Sequence, residues 1–247
     1  MLAEAPLAQL TFADLALVAL LTLALPVYVL IEHLNDRRRK REGLPRPLLK
    51  RYRHTMLMLW GLTLLTLALW LSAGRSLAAL GLTAPQTWPF AACMLTAIVL
   101  STAYAMQIVS VRRSEKARAD VLAMLRKQEV LGDILPKTQA EMQSFRLVAL
   151  TAGITEEVLF RGFLLWAFAH WAPLWAAAAM SLAVFTLAHL YQESARAIAG
   201  VFIAGAVMTA LAVLSGSLLP AMLVHVVVDL AGGEMVWAAR RQEREKT

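Results

Sequence analysis

Residues 145–169 read FRLVALTAGITEEVLFRGFLLWAFA. The stretch is long and apolar enough to cross a bilayer, which takes about 20 residues, yet Glu156, Glu157 and Arg161 lie in its middle. One charged side chain at mid-membrane costs roughly 2.5–3.5 kcal/mol, so three left unpaired against lipid would cost about 7–10 kcal/mol. The neighbouring leucines offset only part of that. The segment is therefore expected to turn its charges toward protein or trapped water. Ionisable groups in such a place are the first candidates for a functional site.

The rest of the chain agrees that a membrane is its solvent. Of its 247 residues, 59% are hydrophobic and 17% charged, below the roughly 25% charged of soluble domains, and the mean hydropathy is +0.60. A formal charge of +7 raises nucleic-acid binding, but the basic residues fall in loops between apolar runs and no groove-reading motif is present. Nucleic acid is not expected as a partner. Cys93 is the only cysteine and sits in an apolar run, so neither a disulfide framework nor a cysteine-based metal site is expected.

Seven apolar runs are expected to span, at 12–31, 56–73, 89–111, 147–169, 173–191, 196–214 and 218–238, giving an all-α, polytopic helical bundle. The first follows a tail with Glu4 and no Lys or Arg, and lacks a small-residue cleavage site, so a retained helix is expected. Nine basic residues lie in 32–55, eight in 112–146, Arg196 beside the 192–195 turn, and four in the tail after 239. Arg75 stands alone in the alternate loops. The positive-inside rule then puts the N-terminus outside and the C-terminus in the cytoplasm of a multi-pass cell-membrane protein. Within 112–146, Val121, Leu122, Leu125, Val130, Leu131, Ile134 and Leu135 recur at helical spacing. They predict either an interfacial amphipathic helix ending near Pro136 or a helix packed on the bundle end. No long repeat or low-complexity linker divides the chain. It reads as one membrane domain, 1–247, with scaffold spans in 1–111, a cytoplasmic or interfacial segment at 112–146, a four-helix core at 147–238 that holds every candidate for chemistry, and a tail at 239–247.

Helical spacing separates the two glutamates. Residues four apart share a face, and neighbours point about 100° apart. Glu157 is thus expected to pair with Arg161, leaving Glu156 without a cation in its own helix and suited to act as a general base. Gly153 and Gly162 flank this turn and allow close helix approach. Two later spans carry one histidine each: FTLAH puts Phe185 and His189 on one face, and HVVVD does the same for His225 and Asp229. A carboxylate one turn from an imidazole fixes its tautomer. His33, His54 and His170 fall at span ends and read as interfacial.

EEVLFR at 156–161, FTLAH at 185–189 and HVVVD at 225–229 resemble, in order and spacing, the three motifs of the CAAX prenyl protease and bacteriocin-processing family of intramembrane endopeptidases. The resemblance covers about 135–232. It implies that Glu156 activates water, His189 assists, and His225 with Asp229 stabilises the oxyanion, while Glu157, Arg161 and Phe185 support them. Asp229 stands where the prenyl-protein enzymes have Asn. An ionised carboxylate would repel an oxyanion, so Asp229 is expected either to orient His225 or to stay protonated. Zinc is the alternative chemistry, with Glu156, His189 and His225 as ligands around an open water position. That set would leave only Glu157, already paired, as the base, so no cofactor is expected.

The expected activity is hydrolysis of a peptide bond in a hydrophobic or lipid-anchored protein substrate, with membrane lipids around it. The alternative is a non-catalytic regulatory or immunity protein on the same fold. Depth poses a difficulty. Glu156 lies about 14–16 Å along its expected span and His225 about 20 Å, but His189 only a few ångströms from the cytoplasmic edge. Either the fifth span continues past Gln192, or the bundle tilts around a water-filled cavity.

Overall fold

The computed structural model describes residues 9–127 and 129–244. Glu4, residue 128 and residues 245–247 lie outside the described part, as do the side chains of 129–131, Val130 and Leu131 among them, and of 242–244. All secondary structure in the described residues is helical.

Helix α1 runs Phe12–Arg41 with a π-helical turn at Leu20–Ala24. That turn precedes Pro26, which lacks an amide hydrogen and would crowd the carbonyl one turn back in a regular helix. Helices α2 (Leu48–Ser72) and α3 (Trp88–Arg113) complete the first three spans. The 112–146 segment forms two short helices, α4 (Glu115–Arg126) and α5 (Glu129–Ile134). Helix α4 packs against the last helix, so it caps the bundle end. The next helix, α6, starts at a Thr138–Glu141 capping box and runs Gln139–Glu156. It continues through a π-helical stretch, Glu157–Leu164, into Leu165–Phe168. Then come α7 (Leu174–Leu187), a 3-10 turn at Leu190–Gln192, α8 (Ala195–Ser215) and α9 (Leu219–Arg244).

Six helical segments, one of them α7 taken with its 3-10 turn as Leu174–Gln192, are long and apolar enough to cross a membrane, and the protein is a multi-pass membrane protein. The remaining expected span, the fourth at 147–169, is α6 with its three charges. Every residue from 157 to 168 is buried, Glu157 and Arg161 among them, and the 13% exposed side chain of Glu156 lies beside His189 and His225, so the charges face protein, which resolves the energetic conflict in the sequence. Leu57, Leu64, Leu95 and Val99 of α2 and α3 are exposed instead, forming the apolar surface a bilayer would cover. Helix α9 packs on α3, α6 and α8, and α2 packs on α6.

At the end away from the basic loops, Arg75 is not a free loop residue. It is buried and donates to Asp14 of α1 at 2.6 and 2.8 Å. Its guanidinium stands 4.3 Å from the Trp166 ring centroid and 5.1 Å from that of Trp70. Of the three span-end histidines, His54 meets Tyr28, His170 meets the Trp166 carbonyl, and His33 meets Glu193.

Two turns account for the depth problem. Counted from the 169–173 connection, Glu156 lies about 18 Å down α6 and His189 about 22 Å down α7, at 1.5 Å per residue. Helix α7 does not continue past Gln192. It is short, and its end brings His189 level with Glu156. The 215–218 turn is sunk into the bundle: Leu218 N donates to the Gly81 carbonyl at 2.9 Å, and a Cβ on Gly162 would stand 3.1 Å from the Leu80 carbonyl and 3.3 Å from Leu218. His225 is about 9 Å below Leu219 and Glu156 about 9 Å below Gly162, so these two also coincide.

Candidate active site

The site is built around Glu157, which is fully buried. Its Oε1 accepts from Arg161 Nη1 at 3.0 Å and from His225 Nδ1 at 2.7 Å. Arg161 extends across to α8, donating to Thr209 Oγ1 at 3.3 Å and to the Gly205 carbonyl at 3.2 Å. Its guanidinium lies 4.0 Å from the Phe185 ring centroid. A buried guanidinium needs partners around its whole fork, and three helices supply them.

Glu156, the last residue before the π-helical stretch, points elsewhere. Its Oε2 lies 3.9 Å from His189 Nε2 and 3.9 Å from His225 Nε2, and it is buried without a hydrogen bond from the protein. His189 Nδ1 is 2.8 Å from the Phe185 carbonyl. A carbonyl only accepts, so Nδ1 carries the hydrogen and Nε2 is the nitrogen turned to Glu156. Asp229 Oδ2 lies 3.8 Å from His225 Nε2, on the side of Glu156, and its side chain is 36% exposed against 6% for His225. Asp229 is thus the more open of the two.

Phe185 joins these parts. Its ring centroid is 4.5 Å from that of His189, 5.4 Å from Phe160 and 6.1 Å from His225. A Cβ on Gly153 would stand 2.7 Å from Val226 N and 2.9 Å from Val226 Cα, so a glycine is what lets α6 and α9 touch beside His225.

All seven residues singled out in the sequence fall within this one cluster. One relationship differs. The carboxylate hydrogen-bonded to His225 is Glu157, not the i,i+4 neighbour Asp229, and it engages Nδ1. Nothing in the sequence signals it, because 68 residues separate the pair. The π-helical geometry from Glu157 onward likewise carries no signal in the sequence. Ser181 Oγ donates at 2.6 Å to the Phe160 carbonyl within that stretch. π-turns of this kind are frequent at functional sites. A zinc ion would draw its donors to about 2.0–2.2 Å of one point. Among the described residues, no group of three or more His, Cys, Asp or Glu is arranged to do so.

Residues 138–231 match the family model described as Type II CAAX prenyl endopeptidase Rce1-like. That is the family the three motifs resemble. The Rce1-like segment starts at the Thr138 cap of α6 and ends two residues past Asp229, so it contains every residue of the cluster. The first three spans lie outside it. No curated protein and no solved structure matches the chain.

Proposed function

We propose that the protein is an intramembrane endopeptidase that hydrolyses a peptide bond in a hydrophobic or lipid-anchored protein substrate, with Glu156 activating the water. The observation that carries this reading is the approach of Glu156 Oε2 to two imidazole Nε2 atoms, each at 3.9 Å. Polar atoms at such a separation suit a shared water.

Counting hydrogens assigns the roles. A water has two to give. Ionised Glu156 accepts one, and His189 accepts the other, since its own hydrogen is committed to the Phe185 carbonyl. His225 is then left to donate to the water oxygen. Its Nδ1 already donates to Glu157, so its Nε2 donates only if the ring is doubly protonated, with the Glu157 carboxylate balancing the charge. In the reaction, Glu156 takes a proton as the water oxygen bonds to the scissile carbonyl carbon. The carbonyl oxygen becomes an anion, and the His225 N–H stabilises it. Glu156 then gives its proton to the leaving nitrogen, and the C–N bond breaks.

Asp229, at the more exposed side, faces whatever enters. Substrate arrives from the basic end of the bundle, which the charge distribution puts at the cytoplasmic face with the N-terminus outside. The chain acts as one membrane domain, with 147–238 carrying the chemistry. Comparing membrane-protein fragments from cells with the native protein and with Glu156→Ala tests this. Cleavage products that vanish at normal membrane levels of the variant support it, and an unchanged fragment set favours a non-catalytic regulator.

A further inference from the structure

The turn that carries His189 is held from outside the Rce1-like segment. Glu193, four residues after His189, has φ +54 and ψ 0, and is the only non-glycine residue with positive φ among the described residues. A side chain in the left-handed region costs about 1 kcal/mol or more and persists where surrounding contacts hold it. Those contacts come from α1. His33 Nε2 lies 2.8 Å from Glu193 Oε1, and Arg37 Nη1 donates to the same oxygen at 2.6 Å. His33 and Arg37 are one helical turn apart, so they present one face to the turn. The hydrogen bond from His33 above all, with that from Arg37, holds the Glu193 carboxyl below the ordinary carboxylate range against the opposing effect of burial. Tyr191 fills the space between, its ring centroid 6.2 Å from that of His33 and 6.0 Å from that of His189.

An adjoining face of α1 is tied to α2 and to the loop before it. Glu32 accepts from Arg46 at 2.6 Å and Asp36 from Arg51 at 3.0 Å, and α2 in turn packs on α6, the helix of Glu156. A closed circuit therefore runs from Glu156 through α6, α2 and α1 to Glu193 and back to His189. We propose that Glu193, gripped by His33 and Arg37, is a positioning residue through which the first two spans set the placement of His189 against Glu156.

The test uses the full-length protein in nanodiscs and reads carbethoxylation of His189 by diethyl pyrocarbonate, with peptide mass spectrometry. Labelling needs no substrate, so it judges the clamp whether or not the catalytic reading stands. Glu193→Ala is the decisive variant, because it removes the gripped carboxylate while its Cβ leaves the left-handed backbone as costly as before. Its His189 labelling rate is expected to rise about fivefold, equivalent to ~1 kcal/mol, with Arg37→Ala doing the same and Arg37→Lys restoring the slow rate. Labelling of His225, held by Glu157, is expected to stay unchanged in all three. A native rate for His189 in Glu193→Ala would show that the turn holds itself, and would overturn the proposal. So would an equal rise at His225, which would mean general loosening.

Discussion

Glu157 Oε1 accepts hydrogen bonds from both Arg161 and His225, at 3.0 and 2.7 Å. One buried oxygen thus joins a structural ion pair to an imidazole of the site. Glu157→Gln is expected to lower kcat by about 10²-fold, the usual size for a lost oxyanion-stabilising element. The double variant with His225→Ala is expected to be no worse than the worse single variant, since groups acting as one unit are non-additive. Turnover of a membrane substrate by each folded variant checks this, and additive losses would separate the two residues.

Arg161 has partners from α6, α8 and the ring of Phe185. Breaking a buried pair by deleting one member costs about 3–5 kcal/mol, so Arg161→Ala is expected to lose that much stability. Arg161→Lys is expected to recover only part, because an ammonium cannot reproduce the planar fork. Thermal unfolding in detergent ranks the two.

Asp229 makes no hydrogen bond to His225, whose Nδ1 is taken by Glu157. Asp229→Asn keeps the size and adds a donor near the expected oxyanion, so activity is expected to stay within about threefold of native. A loss of two orders of magnitude in kcat would instead give the Asp229 charge a role of its own.

Gly153 faces Val226 at a separation no Cβ tolerates. Gly153→Ala is expected to push α9 outward at a cost of about 1–3 kcal/mol from overpacking. Because Val226 follows His225, activity is expected to fall further than stability explains. Comparing kcat with melting temperature across Gly153→Ala and the unpacked control Gly200→Ala, where a Cβ meets nothing within 4 Å, separates the two effects.

Metal content bears on the chemistry directly. Purified protein is expected to hold no stoichiometric zinc and to keep its activity after chelation. Zinc at one equivalent that tracks activity would replace Glu156 as the activator of water.

The sequence by itself determined the membrane-spanning helical class, the positions of the seven apolar runs and seven side chains of the cluster, but not Thr209 or Gly205, which hold Arg161. Those signals are local: a run of apolar side chains, a charge where lipid should be, and pairs one helical turn apart such as Glu157 with Arg161. It also separated Glu156 from Glu157, because adjacent residues on a helix point in different directions. Only the tertiary structure decided what meets across helices. His225 found Glu157, 68 residues away, because Gly153 lets α6 and α9 touch. His189 came level with Glu156 because α7 is short, and the 215–218 turn is sunk because Gly81 and Gly162 leave room for Leu218. His33 and Arg37 read as a span end and a basic loop until α1 was placed beside Glu193. Close approach between distant segments depends on shape and packing, which leave no periodic trace along the chain.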